Sequence, residues 1–317
     1  MSTYSMTRRR LLQLGVATSV GAMMGRTAFG ADSAAALTLI TRPIPSSGEK
    51  LPVIGLGTNN YNVTSPEDLA VRRDVLRRMP ELGGTLVDTA PSYGRSEEVI
   101  GQLVSEIGNR NRLFYATKVT AQNGDVAAGR AMLDESFRRL RTDRIELIEV
   151  HNLMGTDVML PVLAQLKAAG RIKYVGVTTS NDAQHDALAD AMRRHKLDFV
   201  QLNYSLGDRE AAQMLLPLAQ ERGIAVLVNL PLGGRRGSLF SRVANRSLPD
   251  WAADIDATSW AQVFLKYVVA HPAVTCAIPG TTKVSHLEDN QRGGRGRLPD
   301  AQLRKRMEQF WDSLDGA

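Results

Sequence analysis

A regular alternation of apolar runs and amphipathic segments is the feature that most restricts the folds open to this chain. The eight runs, each rich in β-forming residues, are Val53–Gly57, Thr85–Asp88, Leu113–Lys118, Leu147–His151, Tyr174–Thr178, Phe199–Asn203, Ala225–Asn229 and Val274–Pro279. From the second run to the seventh, successive starts lie 25 to 34 residues apart, the length of one strand plus one crossover helix. The last gap is 49 residues, which predicts an insertion between the seventh and eighth runs.

The segments between the runs have helical character. Asp182–Arg194 and Asp208–Arg222 each open with an acidic residue suited to a helix start, and Ala131–Leu140 gathers its large apolar residues on one face. Strands alternating with helices predict an α/β fold, a single-domain (β/α)8 TIM barrel over residues 51–317. A doubly wound open sheet is the alternative.

The start of the first run resembles a dinucleotide-binding fingerprint. Gly55 and Gly57 supply two of its glycines, but the third position is Asn60 and no clear helix opens immediately afterwards. A Rossmann domain is therefore not the favoured interpretation.

The first thirty residues resemble a twin-arginine export signal. Arg8 and Arg9 precede the apolar stretch Leu11–Met24, and Ala28–Gly30 offers small residues for a signal peptidase. The stretch is shorter than the roughly 20 residues of a membrane-spanning helix, so no stable anchor is expected. We expect a signal peptide over 1–30, a leader over 31–50, contact with the twin-arginine translocase and a periplasmic protein exported after folding. An ordinary secretory signal is the alternative.

Charge and cysteine content exclude several classes. The net charge of +6 comes largely from the four arginines of residues 1–30, and no aromatic residues separate the later Arg292, Arg295 and Arg297, so no nucleic-acid partner is expected. Cys276 is the only cysteine, which rules out an intrachain disulfide and a cysteine-based metal site.

Ionisable residues end three successive apolar runs. Asp88, Lys118 and His151 hold these positions, and Tyr93 follows Asp88 in the next loop. Catalytic groups of (β/α)8 barrels come from the carboxyl ends of strands. Burying such groups is costly unless they pair with one another. The sequence therefore predicts an active site at this end of the barrel.

Six segments resemble the aldo-keto reductase family, in the expected order over about residues 37–312. They are Asp88–Glu97, Ala116–Val119, Glu149–Asn152, Gly170–Val177, Val200–Tyr204 and Ala277–Thr282. The resemblance implies a (β/α)8 barrel and an NAD(P)H-dependent enzyme that transfers hydride between nicotinamide and a small-molecule aldehyde, ketone or alcohol.

The family's catalytic tetrad falls on Asp88, Tyr93, Lys118 and His151. The resemblance implies that Tyr93 donates the proton and that His151 orients the carbonyl group, with no metal ion. Because a free phenol has a pKa of about 10, we expect the Lys118 ammonium, held by Asp88, to lower the pKa of Tyr93.

The resemblance also implies an extended dinucleotide across the barrel mouth, with NADP(H) favoured and NAD(H) possible. Tyr204 is expected to stack on the nicotinamide, Ser180, Asn181 and Gln201 to hold its amide, and Lys283 to meet a 2′-phosphate. The other expected contacts are Gly57, Thr58, Pro231, Leu232, Gly234, Arg235, Thr281, Asp289 and Asn290. The chain departs from well-known members at Gly280 and His286, where they carry Lys and Arg.

Two other functions are compatible with the predicted fold. One is a non-catalytic dinucleotide-binding regulatory subunit, which would have no need of the Tyr–Lys–Asp cluster. The other is a barrel hydrolase, which the missing metal ligands and nucleophile elbow disfavour.

Overall fold

The computed structural model describes residues 37–234 and 237–314, which form one compact unit. The strands are β1 (Thr41–Pro43), β2 (Lys50–Pro52), β3 (Leu56–Gly57), β4 (Leu86–Asp88), β5 (Phe114–Val119), β6 (Ile145–His151), β7 (Ile172–Thr178), β8 (Phe199–Asn203), β9 (Ala225–Asn229), β10 (Gly233–Gly234), β11 (Gly237–Ser238) and β12 (Val274–Ala277). The predicted export signal lies outside the described residues.

Helices follow most strands of the central sheet. They are α1 (Pro66–Glu81), α2 (Ser96–Ile107), α3 (Val126–Arg139), α4 (Thr156–Ala168), α5 (His185–Arg194), α6 (Leu215–Arg222), α7 (Leu239–Val243), α8 (Trp260–Val269), α9 (Val284–Gly293) and α10 (Ala301–Ser313). Among the described residues, none of these helices combines the length and the apolar character that crossing a membrane requires.

The central sheet closes on itself. Its eight parallel strands run in the order β12-β9-β8-β7-β6-β5-β4-β3. Parallel bridges then join Ile54 to Ala277 and Gly57 to Gly280, on the first and last strands. A Cβ atom at residue 57 would lie 2.8 Å from the carbonyl oxygen of Ile278, so Gly57 permits this contact. The (β/α)8 barrel is confirmed, and the open doubly wound sheet is wrong.

The amino-terminal end of the barrel is covered by the antiparallel β1–β2 hairpin. Ile44 and Leu51 from this hairpin are buried against the apolar side chains of the barrel interior, including Phe114, Leu147 and Tyr174. The boundary predicted at residue 50 therefore falls inside the hairpin.

The interior of the barrel changes from apolar to polar along the strands. Phe114 and Ala116 of β5 are followed on the same face by Lys118, and Leu147 of β6 is followed by Glu149 and His151, because alternate residues of a strand share a face. The carboxyl end of the barrel is therefore the polar end.

The predicted helices and insertion are present, with one displaced start. Residues between β9 and α8 form the β10–β11 hairpin and α7, which is the predicted insertion. Helix α6 begins at Leu215 instead of Asp208, because the Asp208 backbone forms a turn with Ser205 and its carboxylate accepts a hydrogen bond from Asn203.

Candidate active site

Asp88 and Lys118 form a buried ion pair at the ends of β4 and β5. Lys118 Nζ lies 2.8 and 2.9 Å from the two Asp88 carboxylate oxygens and 2.9 Å from the Thr89 carbonyl oxygen. The side chains are only 1% and 4% exposed. Burial lowers the pKa of Lys118, but the charge and hydrogen bond of Asp88, together with Tyr93 and Glu149, more than offset this, and the pKa rises. Lys118 is therefore a stable ammonium group.

Tyr93 lies above this ion pair, in the loop between β4 and α2. Lys118 Nζ is 5.2 Å from the centroid of the Tyr93 ring. Lys118 lowers the pKa of Tyr93, but burial and the carboxylates of Asp88 and Glu149 raise it, and the net direction is upward. The predicted lowering is therefore wrong in its net direction, because burial and the acidic groups Asp88 and Glu149 outweigh the effect of Lys118.

His151 ends β6 on the other side of Tyr93. The two ring centroids are 6.2 Å apart, with the planes at 85°. Burial and then the charge of Lys118 lower the pKa of His151 to about 4, so the imidazole is neutral near pH 7. The structure thus brings Asp88, Tyr93, Lys118 and His151 together at the barrel mouth.

Gln201 supports Asp88 from the opposite wall of the barrel. Its Nε2 donates to Asp88 Oδ1 at 2.9 Å, and its Oε1 accepts from Thr178 Oγ1 at 2.9 Å. The side chain is buried. These contacts leave one N–H group and one oxygen lone pair of the amide unused, so the expected role of Gln201 in holding the nicotinamide amide stays a prediction.

Tyr204 lies outside the barrel interior. It is fully buried, stacks on Tyr267 with centroids 5.7 Å apart, and accepts a hydrogen bond from Arg304 at 2.6 Å. Since Gln201 and Asn203 face inward, strand alternation turns residue 204 outward. The arrangement argues against the expected stacking of Tyr204 on nicotinamide.

A cavity of about 220 Å³ lies beyond the carboxyl ends of β7, β8 and β9, and none of the four tetrad residues lines it. Ser180 and Gly234, both expected cofactor contacts, line it, together with Asn203, Leu230 and Ser238. The last three were missed because a single Asn, Leu or Ser carries no distinctive signal in the sequence. Arg235 lies outside the described residues, whereas Pro231 is buried and Leu232 is partly buried just before the hairpin.

Two asparagines at the ends of β8 and β9 offer free hydrogen-bond acceptors. Asn203 and Asn229 are partners in the strand register. The buried side-chain oxygen of each has no hydrogen-bond partner in the described part of the chain. Asn181, by contrast, accepts a hydrogen bond from Ala183 N and caps a short helical turn.

The backbone at the barrel mouth is strained. Asn152, Leu153 and Leu230 all have φ between 51° and 58°, a region that non-glycine residues seldom adopt. Such strain concentrates at functional sites, where surrounding structure holds it.

Several other expected cofactor contacts have structural partners. Thr58 donates to the Asp88 carbonyl oxygen at 2.7 Å, Asn290 donates to Thr281 Oγ1 at 3.0 Å, and Asp289 accepts from Ser259 and Gln262. Lys283 is exposed at the start of α9. Only Lys283 of this group has a side chain presented to solvent.

A closed barrel with an Asp–Lys pair, a tyrosine and a neutral histidine at its carboxyl end has the architecture of a barrel enzyme. Residues 53–311 match the Aldo/keto reductase family, and the chain belongs to that family. Methylglyoxal reductase YeaE of Escherichia coli is 30% identical over 268 residues, covering 82% of this chain and 92% of that protein. Pyridoxine 4-dehydrogenase of Escherichia coli is 27% identical over 258 residues, covering 75% and 86%.

Solved structures share the fold. An aldo/keto reductase from Klebsiella pneumoniae, in complex with NADP and acetate, superposes with a TM-score of 0.68 at 24% identity, covering 83% of this chain and 93% of that chain. The thermostable aldo-keto reductase Tm1743 gives 0.70 at 26% identity, covering 87% and 100%.

Proposed function

We propose that this protein is an NADP(H)-dependent carbonyl oxidoreductase in which Tyr93 donates the proton. The observation that carries the proposal is the position of Tyr93, whose ring lies between the Lys118–Asp88 ion pair and the neutral imidazole of His151. When bound, the nicotinamide supplies the hydride for reduction or accepts it in oxidation.

Reduction of a carbonyl group needs a hydrogen-bond donor to its oxygen and then a proton. His151 is neutral, so one ring nitrogen carries a hydrogen and can orient the oxygen without adding charge. Tyr93 keeps its proton at neutral pH because its pKa is raised. Lys118, a permanent cation beneath the ring, stabilises the phenolate left after proton transfer.

The two asparagines and the cavity offer contacts for the amide end of a nicotinamide dinucleotide. The partnerless oxygens of Asn203 and Asn229 are acceptors suited to a carboxamide N–H group. Ser180 and the Gly233–Gly234 backbone line the adjoining space, where glycine permits close approach of a ligand. We assign the amide end of the cofactor to the asparagines, in place of Tyr204.

NADP(H) is favoured over NAD(H). Related structures were solved with NADP or NADPH bound, including two from Klebsiella pneumoniae. In this chain, the exposed ammonium group of Lys283 at the start of α9 is available to a 2′-phosphate. The substrate is a small-molecule carbonyl compound or alcohol, as the names of the curated relatives suggest.

We place the protein in the periplasm, reached through the twin-arginine translocase. The paired Arg8 and Arg9 before a short apolar stretch support this proposal. A route that exports folded proteins would let the enzyme take up its cofactor before leaving the cytoplasm.

The test is turnover of purified protein with NADPH and NADH against a panel of aldehydes and ketones, followed by nicotinamide absorbance. Oxidation of NADPH by at least one carbonyl compound is expected. Tight dinucleotide binding with no turnover across the panel would instead favour a regulatory subunit.

A further inference from the structure

Glu149 occupies an unusual position in the barrel interior. It lies on β6 two residues before His151, so both side chains face the interior, with Glu149 one layer deeper. In the strand register it stands opposite Lys118 on one side and Gly176 on the other. A Cβ atom at residue 176 would lie 3.0 Å from Glu149 Cγ, so glycine leaves room for the acidic side chain.

The Glu149 carboxyl group is isolated from polar partners. Glu149 is 0% exposed, and neither carboxyl oxygen has a hydrogen-bond partner among the described residues. An unpartnered buried carboxyl group costs several kcal/mol if ionised. The residue one layer below on the same face, Leu147, is apolar. A carboxyl group retained at such a cost calls for an explanation beyond packing.

Lys118 is close enough to interact electrostatically with Glu149, but it donates no hydrogen bond to the Glu149 carboxyl group. An ammonium group has three N–H donors, and those of Lys118 point to the two Asp88 oxygens and to the Thr89 carbonyl oxygen. Glu149 therefore interacts with Lys118 only through space. Tyr93 also depends on the charge of Lys118, since the ammonium group is 5.2 Å from its ring.

The titratable groups around Glu149 determine the electrostatic environment of its carboxyl group. The titratable side chains near it are Lys118 and Asp88, whose charges act on its pKa, Tyr93, whose pKa its charge raises, and His151, two residues along the same strand. Strand β7 contributes only Gly176 at this level, and β8 contributes the neutral amide of Gln201. Lys118 is thus the only cation of this group of described residues while His151 is neutral.

We propose that Glu149 is a positioning residue that competes with Tyr93 for the charge of Lys118, and so keeps Tyr93 a proton donor as pH rises. Burial raises the pKa of Glu149 well above its usual range. Once ionised, Glu149 carries a negative charge opposite Lys118 that opposes formation of a second anion on Tyr93. The proposal rests on the proposed function, because it takes Tyr93 as the proton donor.

The test replaces Glu149 with glutamine and follows Tyr93 in two ways. The first readout is ultraviolet difference titration of tyrosine ionisation in the protein without cofactor, with Tyr93→Phe in each background to isolate the Tyr93 signal. The second is the pH profile of kcat/KM in both reaction directions. In Glu149→Gln we expect the pKa of Tyr93 to fall by about one and the alkaline limb of the kcat/KM profile to move by the same amount in both reaction directions.

Three further variants make the result specific. Glu149→Asp keeps the carboxyl group and should retain the wild-type Tyr93 titration. Glu149→Met removes the charge without an amide and should reproduce the shift, including if the glutamine variant does not fold. Glu97→Gln removes another fully buried carboxyl group, one that accepts a hydrogen bond from Thr117 and on which the charge of Lys118 has only a small effect, so the Tyr93 pKa should change much less than in Glu149→Gln.

The two proposals fail in different ways. If Glu149→Gln and Glu149→Met leave the Tyr93 titration and the alkaline limb in place, the role of Glu149 is overturned even when Tyr93→Phe is inactive. If Tyr93→Phe remains fully active, the proton-donor function fails, whereas the titration still reports whether Glu149 controls the Tyr93 hydroxyl.

Discussion

Gln201 Nε2 donates a hydrogen bond of 2.9 Å to Asp88 Oδ1 across the interior of the barrel. The contact joins β8 to β4 and leaves Asp88 accepting from Gln201 on one oxygen and from Lys118 on both. Asp88 is therefore held from two sides, and the position of Lys118 beneath Tyr93 depends on both contacts.

Replacing Gln201 tests whether it supports Asp88 or holds the cofactor. Gln201→Leu removes the hydrogen bond to Asp88, so we expect kcat to fall about tenfold, the cost of one hydrogen bond to a charged group. Dinucleotide affinity, measured by fluorescence titration, should change little. A large loss of dinucleotide affinity with kcat preserved would instead indicate that Gln201 binds the nicotinamide amide.

Replacing Tyr93 with phenylalanine removes the proposed proton donor while keeping the ring. We expect kcat for carbonyl reduction to fall by about 10²-fold or more, the usual size of an acid–base contribution. Dinucleotide binding should persist. Tyr115→Phe is the matched control, because the Tyr115 hydroxyl is buried without a partner among the described residues. Near wild-type reduction by Tyr93→Phe would contradict the assignment.

Much of the site was predictable from strand ends. The spacing of the apolar runs gives the barrel, and a barrel brings the last residues of neighbouring strands together, so Asp88, Lys118 and His151 meet. The direction of each side chain follows from alternation within a strand. In β8, this alternation turns Gln201 toward the barrel interior and Tyr204 away from it. The family resemblance alone placed both residues at the cofactor.

Other features depend on distances that no sequence pattern contains. The net pKa of Tyr93 is a balance between Lys118, burial and two carboxyl groups, and only the folded geometry fixes their relative weights. Glu149 stands in an apolar run, where the sequence does not distinguish a buried acid from one at a surface edge. Helix α6 starts late because Asn203 and Ser205 engage Asp208.

Lys283 tests the choice between cofactors. Lys283→Ala removes an exposed cation at the start of α9, and only NADP carries the 2′-phosphate that it would meet. We expect NADP affinity to fall about tenfold and NAD affinity to stay the same, consistent with one charge-assisted contact. Lys305→Ala, on exposed α10, is the control. Equal losses for both cofactors would remove Lys283 from this role.

The lowered pKa of His151 predicts that the free energy of unfolding decreases as pH falls. Its pKa is about 4 in the folded protein and about 6.5 when unfolded, so the unfolded chain binds the extra proton between these values. The contribution of the neutral His151 imidazole to the free energy of unfolding is present in full above pH 6.5, and it is lost as pH falls toward 4. Thermal unfolding across this window should show Tm falling with pH, less steeply in His151→Gln. An identical slope in the variant would contradict the buried neutral imidazole.

The proposed export signal and the proposed chemistry together predict a protein that leaves the cytoplasm with its cofactor already bound. Nicotinamide dinucleotides are made and kept in the cytoplasm, so an enzyme that folds before export can carry one with it. The single cysteine is consistent with cytoplasmic folding, which provides no disulfides.

Changing Arg8 and Arg9 to Lys should retain the protein in the cytoplasm with its fold and activity intact, measured by cell fractionation and circular dichroism. Wild-type protein from periplasmic extract should contain stoichiometric dinucleotide that exchanges slowly. Protein that is exported correctly but contains no dinucleotide, and binds it weakly with rapid exchange, would contradict this prediction.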